Sequence, residues 1–217
     1  MQNIKEFSFD TIQNFDKHIL SSIPCYSLII ENIKSFAKYF IQENTNVYDI
    51  GCSTGKLLND LKTDKKITKI GIDKSNNLLP KNTEDVSFIN LDLTENFVFN
   101  NASLILSLFT LQFIPLNKRQ NILNNVYNGL NKGGAFIFCE KVYSNNSKIQ
   151  DIFTFNYYDF KSKTFNYDEI MAKEKDLRSI MFPLSHEENI KMLKEAGFEV
   201  YDIFIKHFNF EGIIAIK

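Results

Sequence analysis

The 217-residue chain is short of cysteine, of histidine and of net charge, and each shortage excludes something. Its three cysteines, Cys25, Cys52 and Cys139, are odd in number and show no paired spacing. That argues against a disulfide framework and against a zinc site, and it fits a reducing cytoplasm. The three histidines, His18, His186 and His207, have no metal-ligand spacing either, so no metal is expected. With 25 basic residues against 26 acidic ones the formal net charge is -1. Bulk attraction for a long polyanion is therefore missing, and direct nucleic-acid binding is not expected. Met1-Gln2-Asn3-Ile4-Lys5-Glu6 does not lead into an apolar run, so no leader is expected. The most apolar segment, 102–114, contains Gln112 and is too short for a bilayer core of about 30 Å. It reads as a buried strand and its exit loop. Internal repeats and low-complexity linkers are also missing, so residues 1–217 are taken as one domain.

What is present is an alternation of β-type and helical runs. A hydrophobic fraction of 44% and a charged fraction of 24% suit one ordinary core. Residues 46–50, 67–72, 86–89, 104–109 and 135–139 read as strands, with a helical stretch over 56–61. Ile122, Leu123, Val126, Tyr127 and Leu130 follow helical spacing, and Asn131-Lys132-Gly133-Gly134 predicts a turn into the fifth strand. This order predicts a parallel sheet with helices on both faces. Further on, Ser185-His186-Glu187-Glu188 has the form of a capping box, and its helix closes at Gly197. Residues 201–208 and 212–216 are separated only by Asn209-Phe210-Glu211, which permits an antiparallel hairpin but no parallel crossover. Two segments lie outside this core. Residues 1–45 form an extension with an amphipathic helix over 28–41, and 143–183 form an aromatic-rich insertion. Both are expected to lid the C-terminal edge of the sheet, where open α/β folds bind ligands.

The chemistry gathers at that edge. Val47-Tyr48-Asp49-Ile50-Gly51-Cys52-Ser53-Thr54-Gly55 reads as a strand, an acid, a glycine loop and a helix start. Gly51 and Gly55 let backbone approach a ligand, and the helix start offers unpaired N–H groups. A dinucleotide fingerprint needs a middle glycine for the pyrophosphate, and Ser53 stands there instead. Asp49 would repel a pyrophosphate but attract an ammonium. Asp73 ends the second strand about 20 residues past the loop, where an acid meets ribose hydroxyls. Asp92 follows the third strand, placed to accept from an adenine amino group. Together these residues point to a methionyl nucleoside, S-adenosyl-L-methionine, as the cofactor.

The chain resembles the carboxy-S-adenosyl-L-methionine synthase family, members of the class I methyltransferase superfamily. The resemblance is carried by Ser22-Ile23-Pro24-Cys25-Tyr26-Ser27, Val47-Tyr48-Asp49-Ile50-Gly51-Cys52-Ser53, Phe109-Thr110-Leu111-Gln112-Phe113, Glu140-Lys141, Asp159-Phe160-Lys161 and Phe208-Asn209-Phe210. It implies a Rossmann-like, mostly parallel seven-stranded sheet with an antiparallel last strand and helices on both faces. By position, Tyr26, Gly51, Cys52, Ser53, Asp73, Lys74, Asp92, Leu93 and Leu108 fall on the family's cofactor contacts. The resemblance further implies a homodimer that converts S-adenosylmethionine and prephenate to carboxy-S-adenosylmethionine, with phenylpyruvate as by-product. A partner transferase would use that product on a tRNA wobble uridine. No side-chain nucleophile is implied, and no catalytic residue is assigned.

Two positions depart from the family. Leu108 replaces an Asn, and ungapped alignment puts Glu174, between Lys173 and Lys175, where the family has a carboxylate-binding Arg. Glu would repel a carboxylate, and Lys lacks the two-pronged fork of Arg. Arg178 is the candidate replacement. These departures favour transfer of the methyl group to a small molecule or RNA. Carboxylation of the cofactor is the alternative, and a non-catalytic cofactor-binding subunit is a third.

Overall fold

The computed structural model describes residues 14–217. Residues 1–13, and with them the Met1–Glu6 stretch and the start of the 1–45 extension, lie outside it. Strands β1 (Thr45–Ile50), β2 (Ile67–Asp73), β3 (Val86–Asn90), β4 (Ala102–Leu108) and β5 (Leu130–Tyr143) are parallel. β7 (Val200–His207) and β8 (Phe210–Ile216) close the sheet, in the order β3-β2-β1-β4-β5-β8-β7. β8 runs antiparallel to both neighbours, and for β7 the short connection requires it. The two-residue β6 (Leu184–Ser185) adds to the end of β5. The described helices are α1 (Phe15–Ser22), α2 (Tyr26–Phe40), α3 (Lys56–Asp60), α4 (Leu116–Gly129), α5 (Ser147–Ser162), α6 (Tyr167–Arg178) and α7 (His186–Ala196). None of them is long and apolar enough to cross a membrane.

Successive strand residues face opposite sides, so the continuous apolar runs fill two cores at once. Tyr48, Ile105, Phe136 and Phe138 face α4 and α7, where Ile122, Val126, Ile190 and Leu193 meet them. Val47, Leu104, Leu106 and Ile137 face the other way, against Ile29, Ile33 and Ala37 of α2. Ile33 and Leu104 are completely buried, and each such side chain stabilises the fold by roughly 1.5–3 kcal/mol before ordering costs. The capping box at Ser185 forms with Glu188, and Gly197 closes α7 in the left-handed region at φ 114°. Asn166 and Glu169 make a second capping box at the start of α6.

The turn expected at 131–134 is a bulge inside a longer strand. Leu130 pairs with Ala102 and Ala135 with Leu104, so the extra residues of β5 are looped out between them. The chain end holds the loop in place: Gly133 N–H donates to Lys217 O, and Lys217 N–H donates to Gly134 O. That partner is 83 residues or more away in sequence, as the numbering of the pair shows, so local composition could not reveal it.

Both additional segments pack over the C-terminal edge. The Thr54 hydroxyl donates to Asp16 of α1 at 2.8 Å. The Tyr157 hydroxyl of α5 donates to Ser22 O at 3.0 Å, joining the insertion to the extension.

The exit of β4 is fixed by one carboxylate. Glu140 of β5 accepts from Leu111 N–H at 3.0 Å and from Gln112 N–H at 2.7 Å, holding the 3₁₀ turn Leu111–Phe113. Gln112 Oε1 in turn accepts from Lys141 N–H, and Gln112 O accepts from Arg119 and from Phe182 N–H. Stranding a buried N–H costs about 1–3 kcal/mol. Glu140→Ala is therefore expected to lower the urea unfolding midpoint by a stability loss of at least about 2 kcal/mol. An unchanged midpoint would show that the turn stands without it.

Candidate functional site

The glycine loop leaves β1 through backbone that few side chains tolerate. Gly51 has φ 74°, and a Cβ there would run into the Thr110 side chain. Thr110 stays in place because its hydroxyl donates to Ile50 O at 3.1 Å. Ser53, at φ 50°, is left-handed without being glycine. Its N–H donates to Asp73 Oδ2 at 2.8 Å, while Asp73 Oδ1 accepts from Ser75 N–H. Asp73 thus ties the end of β2 to the loop. Asn90, which the sequence did not single out, donates to Asp73 O and Lys74 O and fixes the β2 exit from below.

Two groups in the loop await a partner. Asp49 is 4% exposed, and no cation among the described residues comes within ion-pair distance. Burial first, and the charge of Asp73 second, push its carboxyl up to about 8. Ser53 Oγ is buried without a hydrogen bond. A cationic, hydroxyl-bearing ligand would satisfy both. Asp92, two residues past β3, accepts from Thr94 N–H through Oδ1 at 2.8 Å. Leu93 behind it is buried, Lys74 is exposed, and Leu108 is half-buried at the end of β4. Cys52 is buried, and its thiol is pushed up by burial, so it is a wall and not a nucleophile.

An aromatic wall leads away from Asp49. Tyr26, whose phenol feels the Asp49 charge, meets Phe109 at a ring-centroid distance of 6.4 Å. Phe109 meets Phe210 at 6.0 Å, and Phe210 meets Tyr157 at 5.1 Å. Phe109 itself is held at φ 57°, the kind of strained conformation that collects at binding sites. Beyond Tyr157 lie Lys141, Lys161 and Lys173 with Glu174, a cluster that no local sequence pattern announces. Lys141 Nζ stands 4.7 Å from the Tyr157 ring centre and 3.7 Å from Glu174 Oε1. Glu174 is therefore turned inward and neutralised by Lys141, whereas Lys175 is exposed. Arg178 is exposed on the last turn of α6, with its guanidinium at the Tyr158 phenol. Among the described residues, no group of histidine, cysteine and carboxylate side chains is arranged to hold a metal ion.

A parallel sheet with an antiparallel last strand, a glycine loop after β1 and acids closing β1 and β2 define a Rossmann-like transferase of the class I methyltransferase fold. A family model described as a methyltransferase domain matches residues 47–134. The fold recurs in human N-acetylserotonin methyltransferase, solved with S-adenosylmethionine (TM-score 0.60, 15% identity, 94% of this chain and 55% of that one). It recurs as well in phosphoethanolamine N-methyltransferase 2 of Haemonchus contortus (TM-score 0.62, 12% identity, 88% and 52%). Nearer in sequence is the carboxy-S-adenosyl-L-methionine synthase of Staphylococcus epidermidis, 40% identical over 97% of this chain and 95% of its own length. The synthase of Methylococcus capsulatus is 34% identical over 94% and 89%. The chain belongs to the carboxy-S-adenosyl-L-methionine synthase family.

The buried acid in the loop has a cost that can be measured. Asp49 titrates near 8 in the folded chain and near 4 when unfolded. Between these values the folded state keeps a proton that the unfolded chain has released, so this residue's contribution falls as pH rises from about 4 to about 8. Asp49→Asn is expected to raise the ligand-free unfolding temperature at pH 8 and to change it little at pH 5. An equal shift at both pH values would refute the assignment.

Proposed function

We propose that the chain binds S-adenosylmethionine across the ends of β1 to β3 and uses prephenate to carboxylate it, giving carboxy-S-adenosylmethionine and phenylpyruvate. The cofactor supplies a sulfonium whose positive charge acidifies its own methyl group. Asp49 takes the methionyl ammonium, the Ser53 hydroxyl takes the methionyl carboxylate, Asp73 takes the ribose and Asp92 the adenine amino group. Tyr26, Gly51, Gly55, Cys52, Lys74, Leu93 and Leu108 line the same path. The balance closes without a redox partner. The ring carboxyl of prephenate leaves as carbon dioxide and ends on the methyl carbon, and the ring hydroxide leaves with a methyl proton as water. The protein's part is to exclude bulk water and hold the two molecules together.

The observation that carries this proposal is the polarity of the site. Three acids lie on the cofactor side of the aromatic wall, and three lysines with one Glu lie on the other. That division suits a cationic cofactor meeting a cyclic anionic acid. The names of relatives matched over nearly the whole chain support the same chemistry. A homodimer, with its product passed to a tRNA-modifying transferase, completes the proposal, and the exposed Ile149, Ile152 and Phe155 of α5 offer an apolar face for the dimer. A second reading, methyl transfer to a small molecule or RNA, is favoured by Glu174 standing inward where relatives carry an Arg.

Incubation of the purified chain with S-adenosylmethionine and prephenate is expected to yield, by mass spectrometry, a cofactor heavier by one carbon dioxide. S-adenosylhomocysteine without any carboxylated product would support methyl transfer instead. Asp49→Ala is expected to weaken cofactor binding by about 10–100-fold in calorimetry, the loss of one charge-assisted contact. Affinity within twofold of the parent would remove Asp49 from the site.

A further inference from the structure

Lys161 is 3% exposed, as buried as Arg119. Arg119 spends its guanidinium on the carbonyls of Ile114 and Gln112. The Lys161 ammonium lies 5.3 Å from the centre of the Tyr157 ring, and among the described residues no carboxylate or carbonyl is within hydrogen-bonding distance of it. Buried charges are normally paired, so this one is an exception that needs a reason. Its surroundings add to the imbalance. Lys141, Lys173 and His18 crowd the same space; burial lowers the proton affinity of all four groups, the Lys161 charge lowers it further in the other three, and Lys173 falls to about 8. Among the described residues the nearby acids are Glu174, held by Lys141 and also favouring the charge of Lys161, and the exposed Asp176, which acts on Lys173. The Tyr157 ring, which both Lys141 and Lys161 face, joins Phe210 and Phe109 in the wall that begins beside Asp49.

We propose that Lys161, assisted by Lys141, binds the side-chain carboxylate of the acid substrate, the one that remains on the released 2-oxo acid, and that Glu174 is the resident counter-ion this carboxylate displaces. The assignment rests on the function proposed above. It accounts for the buried cation, for the long 3.7 Å separation of Lys141 from Glu174 and for the lack of any hydrogen bond to Glu174 Oε1. A carboxylate arriving between the two ammonium groups would make the short, charge-assisted contacts that Glu174 does not. Lys161 thereby sets specificity for a carboxylate-bearing ring and leaves the carbon dioxide transfer itself to the cofactor side of the wall.

The test measures Lys161→Met, Lys161→Arg and Glu174→Gln in the full chain. Lys161→Met is expected to raise KM for prephenate at least tenfold, with kcat within a fewfold and the S-adenosylmethionine Kd unchanged. Lys161→Arg recovers most of the loss. Glu174→Gln moves the other way and tightens the acid. Calorimetric binding of phenylpyruvate to the S-adenosylhomocysteine-loaded protein reads the same subsite without turnover, and Lys161→Met is expected to abolish it. If the parent chain makes no carboxylated cofactor yet binds phenylpyruvate through Lys161, the proposed reaction fails and the carboxylate subsite stands. The subsite is overturned if Lys161→Met leaves KM and phenylpyruvate binding within twofold. It is overturned equally if cofactor affinity falls in step with them, or if Glu174→Gln weakens the acid.

Discussion

Glu140 is the residue on which the geometry of the ligand edge depends. Its two oxygens hold the N–H groups of Leu111 and Gln112, so the chain leaving β4 must turn at once and cannot run on as strand. That turn puts Phe109 into its left-handed conformation and Thr110 against Gly51. Gln112 then reaches back to Lys141 N–H and forward to Phe182 N–H. One buried carboxylate thus relates the glycine loop, the aromatic wall and the end of the α5–α6 insertion. Its neighbour in sequence, Lys141, is thereby delivered to the Tyr157 ring. The cation at the far end of the aromatic wall is positioned by the acid that organises the backbone.

The site that results is divided by charge. On one side Asp49 lies buried with no cation among the described residues in reach; on the other Lys161 lies buried with no hydrogen-bonded anion among the described residues, only the Glu174 charge nearby. Placed together, these groups would neutralise each other and leave nothing for a ligand. Tyr26, Phe109, Phe210 and Tyr157 keep them apart. Each half carries a desolvation cost that the folded protein meets elsewhere, in the two cores flanking the sheet. A ligand pair of opposite charge relieves both costs at once, which makes empty-site instability and binding affinity two measures of the same preorganisation.

How much of this was legible in the sequence depends on how local each cause is. The strands β1 to β4 could be read because apolar runs bounded by turn residues are local patterns, and the hairpin followed from a connection too short to cross over. The capping box at Asn166 was as legible as the one at Ser185 and was passed over. β5 was read too short because its first residues are held by Lys217, at the other end of the chain. Glu140 and Asn90 could not be assigned their partners for the same reason: an acid or an amide states its chemistry in the sequence, but not which N–H or carbonyl the fold brings to it. The lysine cluster was least legible of all, since Lys141, Lys161 and Lys173 sit on three different elements, and an isolated lysine is by default a solvated one.

An Arg and a pair of lysines would hold a carboxylate by different physics. A guanidinium fork fixes a carboxylate in a plane through two donors on one side chain. Ammonium groups on β5 and α5 supply point charges from two directions instead, without fixing that plane. Position must then come from shape, and the rings of Tyr157, Phe210 and Phe109 are placed to provide it. Glu174 fits the same scheme. An inward carboxylate is costly on its own, but against Lys141 it lowers the repulsion among buried cations that would otherwise oppose folding. The inward Glu174 is therefore compatible with an anion site, provided the carboxylate that fills the site in the empty protein can yield to one arriving with a ligand.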